Sequence, residues 1–237
     1  MTIKKTVQVR FFMIPGIFSK TFMIYIGNMK TIIINASPRK NWNTAQLLKE
    51  AQKGAESAGA ETEYIDLYDL KFTGCRSCLA CKRKGAVRCK CYWKDDLSPL
   101  IEKITQADAL IIGSPIYFGE PTAQFRALLE RLIFVMLSYD NYSSYFTGKV
   151  NVGLIYTMNA SGQYVDTLIK PMAKGIEGTF RFLNGDVKTY LSCNTTQVAD
   201  YSKYSMAGFN LEAKKEAREK QFPIDLAECF KLGKEIV

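Results

Sequence analysis

The sequence of 237 residues contains no histidine. Without an imidazole, a Ser-His-Asp triad, a Cys-His pair, a histidine-ligated zinc site and histidine general-base catalysis are all excluded. An enzyme of this composition is therefore expected to leave its chemistry to a bound cofactor, with the protein supplying position and electrostatics.

Long hydrophobic runs are also missing. The apolar stretches at residues 11–18 and 22–26 are interrupted by Lys20 and are too short to span a bilayer, so we predict no membrane span. No convincing export signal is present, and a cytoplasmic location is expected. The net charge is +9, but no arginine-rich stripe with interleaved aromatic residues exists, so we predict no nucleic-acid partner.

The first 28 residues differ from the rest of the chain. They carry four basic residues and no acidic one, and Met29 stands directly before the first predicted strand. We expect residues 1–28 to be an N-terminal extension that is disordered or results from a misassigned start, with an ordered or membrane-touching arm as the alternative. Residues 29–237 are predicted to form one domain with a cysteine-rich insertion at 73–94.

From residue 30 onward, short apolar segments typical of strands alternate with amphipathic segments typical of helices. This alternation predicts an α/β fold, a doubly wound five-stranded parallel sheet in the order 2-1-3-4-5 with helices on both faces. Strands are predicted at 31–34, 62–67, 109–113, 150–156 and 187–191, and helices at 43–58, 97–105, 122–136, 165–182 and from 211 onward, the last broken near Pro223. Ligands of such folds bind beyond the carboxyl ends of the strands.

The loop after the first strand is rich in hydrogen-bond donors although it has no glycine. It therefore matches neither a Walker loop nor a dinucleotide fingerprint. Ser37, Arg39, Asn43 and Thr44 instead place hydroxyl, amide and guanidinium groups beside a helix that Asn43 or Thr44 is expected to cap. This arrangement predicts a phosphate site, the alternative being an ordinary turn that binds nothing.

The loops after the third and fourth predicted strands end at the same edge of the sheet. Residues 114–119, Ser-Pro-Ile-Tyr-Phe-Gly, offer aromatic surface and backbone N–H groups against which a planar heterocycle could stack. A phosphate site beside a site for a flat ring is what a mononucleotide flavin requires. The alternative is that Tyr117 and Phe118 simply pack.

Five of the seven cysteines fall within 17 residues, which favours a metal site over a disulfide framework. Cys75, Cys78, Cys81 and Cys89 have the tight spacing of a 4Fe-4S cluster, with Cys91 as an alternative fourth ligand. Zinc, or a redox-active thiol loop without metal, remains open. The basic residues interspersed here, Lys82, Arg83, Lys84, Arg88 and Lys90, are expected to lower the pKa values of the thiols.

Three motifs together resemble the flavodoxin-like NADPH-dependent FMN reductase family, and most closely its iron–sulfur flavoprotein branch. They are Ser37-Pro-Arg39 with Asn43-Thr44, the cysteine segment followed by Asp95-Asp96, and Gly113-Ser-Pro-Ile-Tyr117-Phe-Gly119 followed by Arg126 and Glu130-Arg131. The resemblance covers about residues 30 to 200. It implies non-covalently bound FMN and assembly into homodimers or homotetramers.

The resemblance also assigns roles to residues. Ser37, Arg39, Asn43 and Thr44 would bind the FMN phosphate, whereas Pro115, Ile116, Tyr117, Phe118, Thr157 and Asn159 would line the isoalloxazine ring. Electrons would pass from NAD(P)H through FMN to a small acceptor, such as a quinone or free flavin, or to a cluster. The alternatives are a non-enzymatic electron carrier or redox sensor that uses FMN, a 4Fe-4S cluster or both, and a domain that binds another phosphate ligand without redox chemistry.

Overall fold

The computed structural model describes residues 29–237, so the expectations for residues 1–28 lie outside the described residues. Five parallel strands form the sheet in the spatial order β2-β1-β3-β5-β6, and the short β4 pairs antiparallel with the end of β3. This order confirms the predicted doubly wound topology. The strands are β1 Lys30–Asn35, β2 Glu61–Asp66, β3 Ala109–Tyr117, β4 Glu120–Pro121, β5 Val150–Thr157 and β6 Asn184–Ser192.

Helices cover both faces of the sheet, as predicted. They are α1 Asn43–Ser57, α2 Leu97–Thr105, α3 Ala123–Met136, α4 Lys170–Phe180, α5 Leu211–Glu216 and α6 Phe222–Ile236. The predicted break near Pro223 is wrong, because this proline lies in the first turn of α6, where its missing N–H costs no hydrogen bond. A π-helical turn, Ala217–Gln221, instead joins α5 to α6. Every helix within residues 29–237 is too short or too polar to serve as a transmembrane segment.

The core divides into two layers because successive side chains of a strand point to opposite faces of the sheet. Ile32 and Ile34 of β1 pack with α2, α3 and α4, whereas Ile33 packs with α1 and α6. All three isoleucines are buried. Because both faces of the strand are covered, its sequence is a continuous β-branched run instead of an alternation of apolar and polar residues.

Helices α1 and α6 approach so closely that their backbones touch. A Cβ atom built on Gly233 would lie 1.9 Å from the carbonyl oxygen of Ala51, and one built on Gly54 would lie 1.9 Å from that of Phe230. Only glycine fits at such contacts. They fix α6 against α1 and thereby hold the preceding α5 and π turn near the start of α1.

The loop after β3 turns back on itself as a small hairpin that the sequence did not predict. Tyr117 pairs with Glu120, and the two residues between them, Phe118 and Gly119, have φ angles of 51° and 87°. Two consecutive positive φ values are the signature of a two-residue type I′ turn. The hairpin turns the chain from the end of β3 toward α3.

We expect Gly233→Ala to lower the free energy of unfolding by at least about 2 kcal/mol, because the added methyl group overpacks a backbone contact that cannot relax locally. Urea denaturation at constant pH measures this loss. The matched control is Gly175→Ala in α4, where an added Cβ meets nothing within 4 Å and should raise stability by about 0.5–1 kcal/mol. Equal stabilities of the two variants would contradict the proposed α1–α6 contact.

Candidate functional site

Nine of the ten residues predicted to bind a cofactor line a single open cleft at the carboxyl edge of the sheet. The cleft has about 560 Å³ of empty volume. It is formed by the loops that follow β1, β3, β5 and β6, as the topology requires. The nine residues are Ser37, Arg39, Asn43, Thr44, Pro115, Ile116, Tyr117, Thr157 and Asn159.

The loop after β1 is held in shape by side chains that bond to its own backbone. The Oδ1 atom of Asn35 accepts a hydrogen bond of 3.1 Å from the backbone N–H of Ser37. The hydroxyl oxygen of Ser37 accepts one of 3.1 Å from the backbone N–H of Arg39. Local bonds of this kind fix the shape of the loop without the glycines that many phosphate-binding loops contain.

Helix α1 begins in this cleft without a side-chain cap. The N-cap position is Trp42, whose side chain makes no capping hydrogen bond, so the prediction that Asn43 or Thr44 caps the helix is wrong. Both residues lie in the first helical turn instead. By contrast, the Oγ1 atom of Thr122 caps α3 by accepting from the N–H of Phe125. The start of α1 therefore presents first-turn N–H groups to an anion.

Hydroxyl groups connect the strand ends that surround the cleft. The Oγ1 atoms of Thr44 and Thr157 are 2.7 Å apart and join α1 to the end of β5. The hydroxyl of Thr122 donates to the carbonyl of Ala36 at 2.8 Å, joining α3 to the loop after β1. Thr44, Thr122 and Thr157 are all buried, so the edge of the sheet is a rigid floor for a ligand.

Asn159 lines the cleft and has a buried side-chain acceptor without a hydrogen-bond partner in residues 29–237. The Oδ1 atom of Asn159 is buried, yet no group within the described residues bonds to it. An unpaired buried acceptor costs about 1–3 kcal/mol, which a ligand N–H would recover. The imide N–H of a flavin ring is a donor of the required kind.

Sequence reasoning missed five residues that line the cleft, namely Trp42, Met158, Thr195, Thr196 and Gln197. The carbonyl of Thr196 accepts from the indole N–H of Trp42 at 3.0 Å and from the amide of Asn43 at 2.7 Å. The carbonyl of Gln197 accepts from the guanidinium of Arg39. Thr195, Thr196 and Gln197 all follow β6. The rule that ligands bind at the carboxyl ends of parallel strands could therefore have predicted them.

Phe118 is the predicted residue that does not line the cleft. It lies at the tip of the β3–β4 hairpin, where its side chain is 104% exposed. Its φ is positive, as the type I′ turn requires, and Pro115, Ile116 and Tyr117 line the cleft without it. That Phe118 lines a bound ring stays a prediction.

A second cavity, of about 380 Å³, lies in the cysteine segment and is lined by four thiols. Three are the predicted Cys75, Cys78 and Cys81, but the fourth is Cys91, and Cys89 does not line the cavity. Within residues 29–237, no three histidine, cysteine, aspartate or glutamate side chains lie close enough together to hold a single metal ion. Four cysteines thus line one cavity, but within residues 29–237 they do not form a site for a single ion.

Arg131 of α3 holds the cysteine segment in place. Its guanidinium is 2% exposed and forms a 2.5 Å ion pair with Asp95. It also donates to the carbonyl of Thr73 at 3.2 Å, to the hydroxyl of Ser98 at 2.7 Å and to the Sγ atom of Cys91 at 3.2 Å. One buried side chain thus joins both ends of the segment to α3.

The basic residues around the thiols act on the thiol pKa values in the predicted direction, but burial has the larger effect. Burial raises the pKa of Cys81 and the pKa of Cys89, and the nearby charge of Lys82 opposes this without outweighing it. The ammonium of Lys82 is directed at the carbonyls of Phe134 and Leu137 instead of at a thiol. The charge of Lys82 still lowers the pKa of both thiols and that of Arg88 lowers the pKa of Cys89, as expected, but the net pKa shift of both thiols is upward because burial outweighs these charges.

Solved structures that resemble this chain include a quinone oxidoreductase and an FMN-dependent azoreductase. A NAD(P)H:quinone oxidoreductase from Methanothermobacter marburgensis superimposes with a TM-score of 0.60 at 16% identity, covering 88% of this chain and 96% of that one. An FMN-dependent NADH-azoreductase from Bacillus anthracis in complex with FMN gives 0.58 at 14% identity, with coverages of 86% and 99%. At these identities the similarity establishes the flavodoxin-like fold.

The family follows from the sequence match. The model of the NADPH-dependent FMN reductase family matches residues 29–178, which is more than half of the chain. The chain belongs to the NADPH-dependent FMN reductase family. FMN is the cofactor that this membership supports, and the uncapped start of α1 and the unpartnered Asn159 acceptor fit its phosphate and its ring.

Relatives of known description are iron–sulfur flavoproteins. One from Methanocaldococcus jannaschii is 41% identical over 103 residues, which are 44% of this chain and 51% of that protein. One from Methanosarcina thermophila is 31% identical over 115 residues, which are 48% of this chain and 57% of that protein. The chain thus spans about half the length of the curated relatives it matches.

We expect Asp95→Asn to lower the free energy of unfolding by about 3 kcal/mol near neutral pH, because it leaves the buried guanidinium of Arg131 without a counter-charge. Burial alone would raise the pKa of Asp95, but the hydrogen bond and charge of Arg131 hold it below its usual 3.8. The stabilisation is therefore complete above about pH 4 and is lost as the pH falls further. Urea titrations at pH 7 and pH 3 measure it.

The matched control is Asp69→Asn, which removes an exposed ion pair with Lys40 and should cost no more than about 1 kcal/mol. The difference between the wild type and Asp95→Asn should shrink at pH 3. A difference that stays constant between the two pH values would show that the Asp95 charge is not what stabilises the segment.

Proposed function

We propose that this chain is an FMN-dependent oxidoreductase that takes electrons from NAD(P)H and passes them to a small acceptor such as a quinone or free flavin. The observation that carries the proposal is the convergence of four strand-end loops on one cleft, with an uncapped helix start, Arg39 and an unpartnered amide oxygen among its lining groups. Anion donors and ring-binding groups in the same cleft are what a mononucleotide flavin needs.

The phosphate would be bound by the loop after β1 and the first turn of α1. A phosphate monoester carries a charge of about −1.5 to −2 at pH 7. First-turn N–H groups, the hydroxyl of Ser37 and the guanidinium of Arg39 would each donate to it. A charge-assisted hydrogen bond contributes about 1.5–3 kcal/mol, so Arg39 should have a measurable share of the affinity.

The ring would lie against Pro115, Ile116 and Tyr117, with the Oδ1 atom of Asn159 accepting from a ring N–H. When bound, FMN supplies the redox chemistry, accepting a hydride from a nicotinamide and releasing electrons to an acceptor. The residues that line the cleft bind and orient the reactants. They include no carboxylate or thiol that would serve as acid or base, which is consistent with a chain that has no histidine.

The four thiols of the second cavity would hold a 4Fe-4S cluster, as the names of the iron–sulfur flavoprotein relatives suggest. Cys91 replaces the predicted Cys89 in this proposal because it shares the cavity with Cys75, Cys78 and Cys81. The hydrogen bond from Arg131 to the Sγ atom of Cys91 would stabilise the thiolate that a ligand requires. Zinc is the weaker alternative, since no site for a single ion is formed within residues 29–237.

The cysteine cavity also favours a second candidate function, that of a non-enzymatic electron carrier or redox sensor. In that case the flavin and the cluster would exchange electrons with a protein partner rather than turn over a small acceptor. Assembly into homodimers or homotetramers remains a prediction for either function.

The reductase proposal is tested by FMN affinity and by anaerobic reduction with NADPH and with NADH. We expect Arg39→Ala to raise the FMN dissociation constant about tenfold, measured by quenching of flavin fluorescence, because it removes one charge-assisted hydrogen bond. The control is Lys40→Ala, which removes the neighbouring exposed cation outside the cleft and should change the affinity little. Bound FMN that neither nucleotide reduces would overturn the reductase proposal in favour of the electron carrier.

The cluster proposal is tested by two serine variants after anaerobic reconstitution with iron and sulfide. Cys91→Ser should lose the bound iron and the broad visible absorbance of a cluster, whereas Cys89→Ser should keep both. Iron and acid-labile sulfide are assayed per chain on the same samples. The reverse pattern would restore the sequence-based assignment of Cys89, and a wild type that binds no iron would leave a thiol loop without metal.

A further inference from the structure

Two cations behind the cleft have no role in the site described so far. Lys214 in α5 and Arg218 in the following π turn lie one helical turn apart, beyond the residues that the family model matches. Lys214 is 5% exposed and Arg218 is half-buried. Among the described residues, neither forms an ion pair with a carboxylate. By comparison, the buried Arg131 is paired with Asp95, and the half-buried Lys82 donates to two carbonyls far from the cleft.

Lys214 joins the two loops that close the cleft. Its ammonium donates to the carbonyl of Asn159 at 2.7 Å, in the loop after β5. It also donates to the Oδ1 atom of Asn194 at 2.7 Å and approaches the carbonyl of Thr195 at 3.5 Å, both in the loop after β6. Asn159 and Thr195 line the cleft, so the charge of Lys214 lies directly behind its wall.

Arg218 fixes the orientation of an amide at the start of α1. Its guanidinium donates to the Oδ1 atom of Asn43 at 3.2 Å and to the Oε1 atom of Gln46 at 3.0 Å, and it stacks on the ring of Phe222 at 4.0 Å. Because arginine can only donate, it holds the oxygen of Asn43 toward itself. The NH₂ group of Asn43 then faces the Thr196 carbonyl on the cleft side.

The residues that line the cleft carry too little positive charge to neutralise a phosphate. Arg39 is the single charged side chain among the lining residues within the described part of the chain. One arginine does not neutralise a phosphate monoester, whose charge approaches −2. Burial lowers the pKa of Lys214 and of Arg218, and neither forms an ion pair with a carboxylate of residues 29–237. An anion in the cleft would supply the missing counter-charge.

We propose that Lys214 and Arg218 provide the cofactor site with positive charge that favours the phosphate of the bound mononucleotide. The proposal rests on the proposed FMN function and adds the C-terminal helix to the binding machinery. The π turn supports it, since such turns insert an extra residue into a helix and are frequent at functional sites. Here the π turn carries Arg218 itself, directly before Phe222, on which its guanidinium stacks.

The test compares FMN with riboflavin, which has the same ring without the phosphate. Dissociation constants for both ligands are measured by fluorescence quenching on the full chain, for the wild type, Arg218→Gln and Lys214→Met. We expect each variant to bind FMN about tenfold more weakly while its riboflavin affinity changes little, because only FMN carries the phosphate charge. The control is Lys215→Gln, an exposed cation of the same helix, which should change neither affinity.

The ratio of the two affinities separates this role from a structural one. Loosened loops would weaken both ligands alike, so an equal loss of FMN and riboflavin affinity overturns the proposal, as does an unchanged FMN affinity. Circular dichroism checks that each variant is folded, and if one is not, the other decides. A wild type that binds neither ligand overturns the proposed FMN function itself, whereas a wild type that binds FMN alongside unaffected variants overturns only the role of Lys214 and Arg218.

Discussion

The start of α1 is the constraint on which the rest of the site depends. A helix leaves its first four N–H groups unpaired, and these groups need a side chain, water or a ligand. Here the N-cap residue is Trp42, which cannot accept a hydrogen bond, so the structure leaves these groups to the cleft. The loop before it is stabilised by Asn35 and Ser37 instead of by glycines. Under the proposed function, a bound phosphate would accept from these groups and complete the hydrogen bonding of the helix start.

The helices that cover the same face of the sheet serve this site indirectly. Because Gly54 and Gly233 allow the backbones of α1 and α6 to touch, the segment that precedes α6 is held against the start of α1. Arg218 can therefore reach Asn43, which is 175 positions away in the chain. The contact between the two helices thus also places Arg218 within hydrogen-bond distance of a residue that lines the cleft.

The strand order could be predicted from local rules, and the nine cleft residues from these rules together with the resemblance to the FMN reductase family. Short apolar strands alternate with helices, and ligands bind where parallel strands end. What could not be predicted depends on geometry that these rules do not fix. Phe118 lies in the type I′ turn and does not line the cleft, and a difference of two positions decides whether Cys89 or Cys91 joins the thiol cavity. The loop after β6 was missed because its carbonyls, rather than its side chains, contact Arg39 and Asn43.

The cations near the two cavities differ in whether a carboxylate neutralises them. Behind the cleft, Lys214 and Arg218 form no ion pair with a carboxylate of residues 29–237, and under the proposal a bound anion would offset the cost of burying them. In the cysteine segment, the charge of Arg131 is neutralised by Asp95. The same guanidinium holds the segment in place and donates one hydrogen bond to Cys91. At Cys81, burial raises the thiol pKa by more than the adjacent Lys82 lowers it. The nearby basic residues are therefore not sufficient to stabilise the thiolate. A metal centre that binds thiolates directly would provide the missing stabilisation, whereas an empty thiol loop would remain protonated at Cys81 and at Cys89.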